Sequence, residues 1–372
     1  MGVIVYWLVV AAVVVFGQIM PQQGKKRVYY IGLMAVLHAF VSGVRFMHLT
    51  GDLAKYQWNY VDYQNHGYLS DHLLNDGVNT GYIWFSKFVS DLTNGDFQVF
   101  LMVVAIIIEA VAALVVYKHS PRPWISFLTW NCIGFYIFGF SAMKQSLAMA
   151  LVMLAMDAVL ENRLCRFLLL TVIAGYVHFP AFAFLPAYWI AKARIKPLTI
   201  VCYVVAALTI LAFQGPIVKF IASIYYEEGT LELAESAELG GRFFMMVVIL
   251  AMGISLKGFG DRRFEKLFNM MIVAAIFQMF SGFDNIFTRF ADYYFQMSIL
   301  FLPLMVSSTA TNPQLGGSNR KAIFRFNRRS LEAIAICMAL YLIWYYNRTC
   351  LGLDMGHAVN GFLNYRSMWY YK

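Results

Sequence analysis

Apolar runs long enough to cross a lipid bilayer recur along the whole chain, and they constrain its fold more than any motif does. A helix needs about 20 such residues to cross a hydrocarbon core of about 30 Å. Runs that qualify, allowing for tilt, lie roughly at 3–20, 28–44, 97–117, 124–140, 145–160, 198–214, 242–257, 266–282, 290–307 and 331–346. Inside lipid, every backbone N–H and C=O must be satisfied within the spanning structure, so these runs predict helices. Composition agrees. Sixty per cent of the residues are apolar and 13% are charged, against about 45–50% and about 25% in soluble domains. That excludes a cytosolic enzyme, a coiled coil, a disordered tail and a disulfide-stapled secreted domain. The expected fold is an all-α polytopic membrane protein, one transmembrane domain over residues 1–372 with about ten full spans.

A net charge of +9 suits positive loops against an anionic leaflet better than it suits nucleic acid. Short loops holding Lys25, Lys26 and Arg27, Lys118 and Arg122, and Arg163 and Arg166 belong on the cytoplasmic side. So do Lys192, Arg194 and Lys196, the cluster from Lys257 to Lys266, and the basic loop 307–330 with Arg320 through Arg329. Alternation places all of them inside only if residues 167–191 start and end on that side. A V-shaped pair of half-spans with His178–Phe179–Pro180 at its apex meets this condition, since Pro180 can open the second half. Loops 45–96 and 215–241, rich in Asp and Glu respectively, then fall outside, as do both termini. Met1–Met20 lacks a basic start and a small-residue cleavage site and is expected to be a retained span. Within the outer loop, Leu53–Tyr63 and Tyr82–Val89 space their aromatics as interfacial amphipathic helices.

Chemistry is sparse. The cysteines lie in or beside apolar runs, except Cys350, and form no CxxC pair. No metal-ligand set, phosphate-binding loop or nucleophile elbow occurs, so no metal and no cofactor is expected. The informative residues are ionisable groups at outer span ends: Arg45, Asp52, Lys55, Lys144, His178, Arg242, Asp284, Arg289 and Asp292. Lys144 opens a span, as a snorkelling anchor or as an anion ligand beside a helix N-terminus. Arg289 is an interfacial anchor or a two-pronged phosphate ligand. His178 sits at the broken apex, where a neutral imidazole can accept a proton from a hydroxyl.

These residues also form an ordered pattern. Arg45, Thr50-Gly51-Asp52 with Tyr56, Gly81-Tyr82, Lys144-Gln145-Ser146-Leu147-Ala148, His178-Phe179-Pro180-Ala181, and Arg289 with Tyr293 together resemble the EpsG family of Wzy-type polysaccharide polymerases. The resemblance runs from about residue 25 to about residue 300. The chain departs from the family pattern at Lys144, where Arg is usual, and at Asn79, where an acid is frequent.

The resemblance implies a GT-C-like membrane glycosyltransferase of the bacterial cytoplasmic membrane, with its active site facing outward. Its substrates, as donor and acceptor, are oligosaccharide repeats carried on undecaprenyl pyrophosphate, and a chain-length regulator is a possible partner. Arg289, Lys144 and Arg45 are then the pyrophosphate ligands, and His178 or Asp52 the base. Gln145, Tyr56, Tyr82 and Tyr293 make further substrate contacts. Two rival functions use similar residues: a flippase for the same lipid-linked oligosaccharide, and a membrane acyltransferase with an intramembrane His. The flippase predicts paired broken helices in two related halves. The chain has one such break and no internal repeat.

The charge alternation is directly testable. Arg194→Cys in a Cys-free background should react with an impermeant thiol reagent only after cells are permeabilised. Labelling of intact cells would replace the V-shaped pair with one long span.

Overall fold

A computed structural model describes residues 2–45, 51–70, 79–213, 215–216, 240–256 and 261–307. The expected span at 331–346, most of the loops 215–241 and 307–330, and Thr50 lie outside these residues. Among the described residues the fold is all-helical, without a strand. In chain order the helices are α1 (Gly2–Ile19), α2 (Arg27–Gly43), α3 (Gly51–Asp62), α4 (Thr80–Thr93), α5 (Phe97–His119) and α6 (Pro123–Cys132). There follow α7 (Phe135–Phe138), α8 (Met143–Leu160), α9 (Leu164–Val177), a 3-10 helix (Phe179–Phe184) and α10 (Ala187–Lys192). The last are α11 (Pro197–Ala212), α12 (Gly241–Leu256), α13 (Arg262–Met279), α14 (Asn285–Phe295) and α15 (Ser298–Ser307).

Two of the described helices, α5 and α8, are long and apolar enough to cross a membrane by themselves. Several others are apolar but shorter, among them Arg27–Gly43, Leu164–Val177 and Ser298–Ser307. The continuous spans expected at 124–140 and 290–307 are each two helices. In the first, Gly134 adopts φ +88°, a left-handed conformation that glycine enters without steric cost, and α6 ends there. In the second, α14 starts earlier, at Asn285, and the chain re-forms as α15 after Gln296–Met297. Apolar length in the sequence therefore overstates helix length wherever the backbone breaks at depth.

Helix starts follow ordinary capping chemistry. Asp96 accepts from the N–H groups of Gln98 and Val99 at the head of α5, and Asp261 does the same for α13. Asp284 caps α14 through the Ile286 N–H. A single apolar core runs through the bundle, with α2 packed on α5, α8 on α9 and α5, and α13 on α14.

The basic clusters gather at one end of this bundle. Arg27 donates to the carbonyls of Tyr117 and Ser120, and Arg263 to that of His119. Lys266 reaches the Val159 carbonyl and Asn162, and Arg262 and Asn269 reach the Ala193 carbonyl. Cations thus satisfy the orphan carbonyls that close α5, α8 and α10. Residues 164–192 begin and end at this same level: Tyr188 Oη donates to the Asn162 carbonyl at 3.1 Å. Between those ends the chain rises along α9 to His178 and descends through the 3-10 helix, with Phe182 lying back against Gly175.

Asp157 is the electrostatic centre of the basic end. Its carboxylate, 1% exposed, takes Lys118 at 2.6 Å, His119 at 2.5 Å and Arg166 at 3.2 Å. Removing one partner of a buried ionic cluster leaves the others uncompensated. Asp157→Ala should therefore cost about 3–5 kcal/mol, read as a lowered Tm in detergent.

Candidate functional site

At the opposite end of α8, about 27 Å away at 1.5 Å per residue, lies a cavity of about 360 Å³. Asp52, Lys55, Tyr56, Asn59, Asn79, Ala142, Lys144, Gln145, His178 and Arg289 line it. Residues more than 200 positions apart in sequence thus share one wall system, built by α3, α4, α8, the His178 apex and α14. The side chains are graded by depth. Asp52 and Lys55 are exposed at the rim, Lys144 and Arg289 are half-buried, and Gln145 and His178 are buried at the floor. Lys55, Lys144 and Arg289 face a single carboxylate, so the lining is net positive.

Helix α3 supplies its share through one face. Positions 52, 55, 56 and 59 follow the i, i+3, i+4, i+7 spacing that keeps side chains together on a helix. Its other contacts hold it in place: Leu53 and Tyr60 are buried, and Tyr60 Oη pairs with Thr93 Oγ1 of α4 at 2.7 Å. Trp58 points out at 77% exposure, in keeping with a helix at an interface. Burial first, then the neighbouring Asp52 carboxylate, push the Tyr56 phenol up to about 12, so it stays protonated at neutral pH.

Lys144 stands in the first turn of α8, its Nζ 5.3 Å from the Tyr82 ring centre and 5.8 Å from that of Tyr56. Two electron-rich faces hold the ammonium at the head of α8. Helix α14 does three things in one turn. Arg289 enters the cavity lining, Asp292 accepts from Gln145 Nε2 at 3.0 Å, and Tyr293 Oη bonds His178 Nδ1 at 2.6 Å. Asp292 also pairs with Arg242 of α12.

The apex itself is held from α4. Asn79 Oδ1 accepts the Phe179 N–H at 3.3 Å, which the break of α9 would otherwise leave without a helical partner. An acid at this position offers the same acceptor oxygen, so the amide of Asn79 preserves the structural contact. Gly81 makes this approach possible. A Cβ there would lie 3.0 Å from both the carbonyl carbon and oxygen of Tyr176.

The sequence-derived candidates thus divide. Asp52, Tyr56, Lys144, Gln145, His178 and Arg289 line the cavity. Tyr82 lies beneath Lys144 and Tyr293 behind His178, both buried, so neither is part of the lining. Arg45 is elsewhere: its guanidinium, wholly buried, donates to the carbonyls of Ser42, Phe140 and Gly139 and lies over the Phe140 ring. It ties the end of α2 to the turn before α8 instead of facing the cavity. Asp284 is the cap of α14. Lys55, Asn59 and Asn79 line the cavity without having been singled out as ligands, although the helical spacing from Asp52 to Asn59 carries that signal. Among the described residues no cluster of His, Cys, Asp and Glu could hold a metal ion.

Among the described residues the structure is a helical bundle, two of whose helices are long and apolar enough to cross a membrane, with a cation-lined cavity at one end. The EpsG family model matches residues 28–366, nearly the whole chain, and the protein belongs to that family, a family of Wzy-type polysaccharide polymerases. No curated protein and no solved structure matches the chain. Membership points to a polymerase role in polysaccharide synthesis at a membrane, with lipid-linked oligosaccharides as the substrate class.

Close approach at Gly81 yields a stability test. Gly81→Val should cost about 1–3 kcal/mol by forcing α4 off the apex. Gly32→Ala, where an added Cβ meets nothing within 4 Å, should raise Tm slightly through better helix propensity. Equal effects of the two substitutions would refute the contact.

Proposed function

We propose that the protein joins oligosaccharide repeat units carried on undecaprenyl pyrophosphate, acting on the outer face of the bacterial cytoplasmic membrane as a metal-independent, GT-C-like glycosyltransferase. The observation that carries this reading is the cavity: cations half-way down, a buried histidine at its floor, and polar and aromatic groups at its rim. The outward orientation follows from the positive-inside rule, because the basic clusters gather at the end of α8 remote from the cavity.

In the reaction, a hydroxyl of one lipid-linked repeat attacks C1 of the sugar at the reducing end of the growing chain. The new C1–O bond forms as the bond from C1 to the pyrophosphate breaks, and the lipid pyrophosphate leaves with the electron pair. Arg289 and Lys144, with Lys55 above them, meet the charge that develops on the leaving group. Preorganised donors of this kind are worth about 10²–10³ in rate each. His178 takes the proton of the attacking hydroxyl on Nε2. In the tautomer that leaves Nε2 available, Nδ1–H donates to Tyr293 Oη, a hydroxyl that accepts as readily as it donates. Asp52, exposed at the rim, is the second candidate for this proton. No nucleotide is needed, since the pyrophosphate already activates C1.

The test is a polymer ladder formed by purified protein from a synthetic lipid-linked repeat. Movement of the repeat across vesicles without any ladder would make the protein a transporter instead. Within the assay, Arg289→Lys should lose about 10²-fold in rate despite its retained charge, because an ammonium cannot make a two-pronged contact. Lys144→Arg should be tolerated. His178→Ala should lose about 10²-fold or more while still binding substrate. Should Asp52→Asn alone abolish turnover at unchanged Tm, the carboxylate is the base.

A further inference from the structure

Two consecutive residues of α14 hold the two buried side chains at the floor of the cavity. Tyr293 bonds His178, and Asp292 bonds Gln145. The second contact decides the direction of an amide. A carboxylate only accepts hydrogen bonds, so the Gln145 end that faces Asp292 must be its NH₂ group. Gln145 Oε1 is then turned away from Asp292, on a side chain that lines the cavity.

That oxygen matters because acceptors are scarce at depth. Lys55, Lys144 and Arg289 only donate, and Asn79 Oδ1 is occupied by the Phe179 N–H. Tyr56 and Asn59 are only half-buried on α3, and His178 Nε2 is engaged with the attacking hydroxyl in the function proposed above. The Asp52 carboxylate is at the exposed rim. A sugar hydroxyl brought to the floor carries a proton that needs an acceptor, since an unmade hydrogen bond at a buried site costs more than a made one gains. Arg242 keeps Asp292 an acceptor by pairing with its other oxygen, Oδ1, while Gln145 takes Oδ2.

We propose that Asp292, paired with Arg242, is a positioning residue that holds the Gln145 carboxamide with its oxygen toward the cavity, where it accepts a hydrogen bond from a hydroxyl of the sugar substrate. The inference rests on the polymerase function proposed above. Its logic is sequential: Asp292 acts only through Gln145. In Asp292→Asn, the new NH₂ group can face Gln145, whose amide then rotates and presents a donor to the sugar.

A double-mutant cycle isolates this dependence. Using purified full-length protein and a synthetic lipid-linked repeat, Gln145→Leu should raise KM about five- to tenfold, the effect of one uncharged hydrogen bond. Asp292→Asn should raise KM by a similar factor, and the double variant by no more than the larger single effect. Arg242→Lys, which keeps the pair, should stay near wild type. Tm is read on each protein. If Asp292→Asn unfolds the protein, Asp292→Leu combined with Arg242→Met removes both charges and the acceptor for Gln145 together, and takes its place in the cycle. Multiplying effects in the cycle, or a fall in Tm with unchanged KM for Asp292→Asn, would overturn the inference while leaving the polymerase function intact. Absence of any ladder from wild-type protein would refute the polymerase function itself, and the inference with it.

Discussion

The structure depends on how broken helices satisfy their backbone in an apolar setting. An exposed N–H or C=O in lipid costs several kcal/mol, so each break must be answered by a specific side chain. Arg45 answers the turn between α7 and α8 by donating to the Phe140 and Gly139 carbonyls. Asn79 answers the end of α9 by taking the Phe179 N–H, and Asp284 answers the start of α14 through the Ile286 N–H. All three breaks lie at the cavity end. Once satisfied in this way, they leave room between the helices that unbroken spans would fill with packed side chains. The cavity exists because the helices stop, and they can stop because these partners are present.

The two ends of the bundle use charge differently. At the basic end, Arg27, Arg263 and Lys266 are engaged with helix-terminal carbonyls, while Lys118, His119 and Arg166 converge on Asp157. Such groups contribute to stability and orientation. At the cavity end, Lys144 rests on tyrosine faces and Arg289 enters the lining, where one carboxylate accompanies three cations. Cation–π contacts seat the ammonium against the ring faces, and among the lining residues the positive charges outnumber the negative. Arg45 and Lys144 look alike on paper, two cations at outer span ends. Only their surroundings separate them: Arg45 clamps backbone carbonyls, and Lys144 lines the cavity.

Helix α14 connects structure and chemistry. Its spacing of three and four residues places Arg289, Asp292 and Tyr293 on one side, toward the cavity, Gln145 and His178 respectively. The strong amphipathicity of Asn285–Phe295 is what the sequence carries of this arrangement. What that amphipathic face meets cannot be read from residues 285–295, because its partners come from α8 and from the apex near His178, over a hundred positions earlier.

By itself the sequence determined the helical class, the basic clusters and the residue types of the site. Each of these rests on local physics: apolar run length, the positive-inside rule, and the few polar groups that an apolar chain retains. The break at His178–Pro180 was legible for the same reason, since proline opens a helix and cannot continue one. The break at Gly134 was not, because a lone glycine in an apolar run is tolerated as readily as it interrupts. Tertiary structure alone decided that Arg45 is spent on carbonyls, that Tyr293 stands behind His178, and that Asn79 belongs to the cavity. Those outcomes depend on which helices meet, and in a bundle of similar apolar surfaces that is set by close contacts such as Gly81 on Tyr176, between segments far apart in the chain.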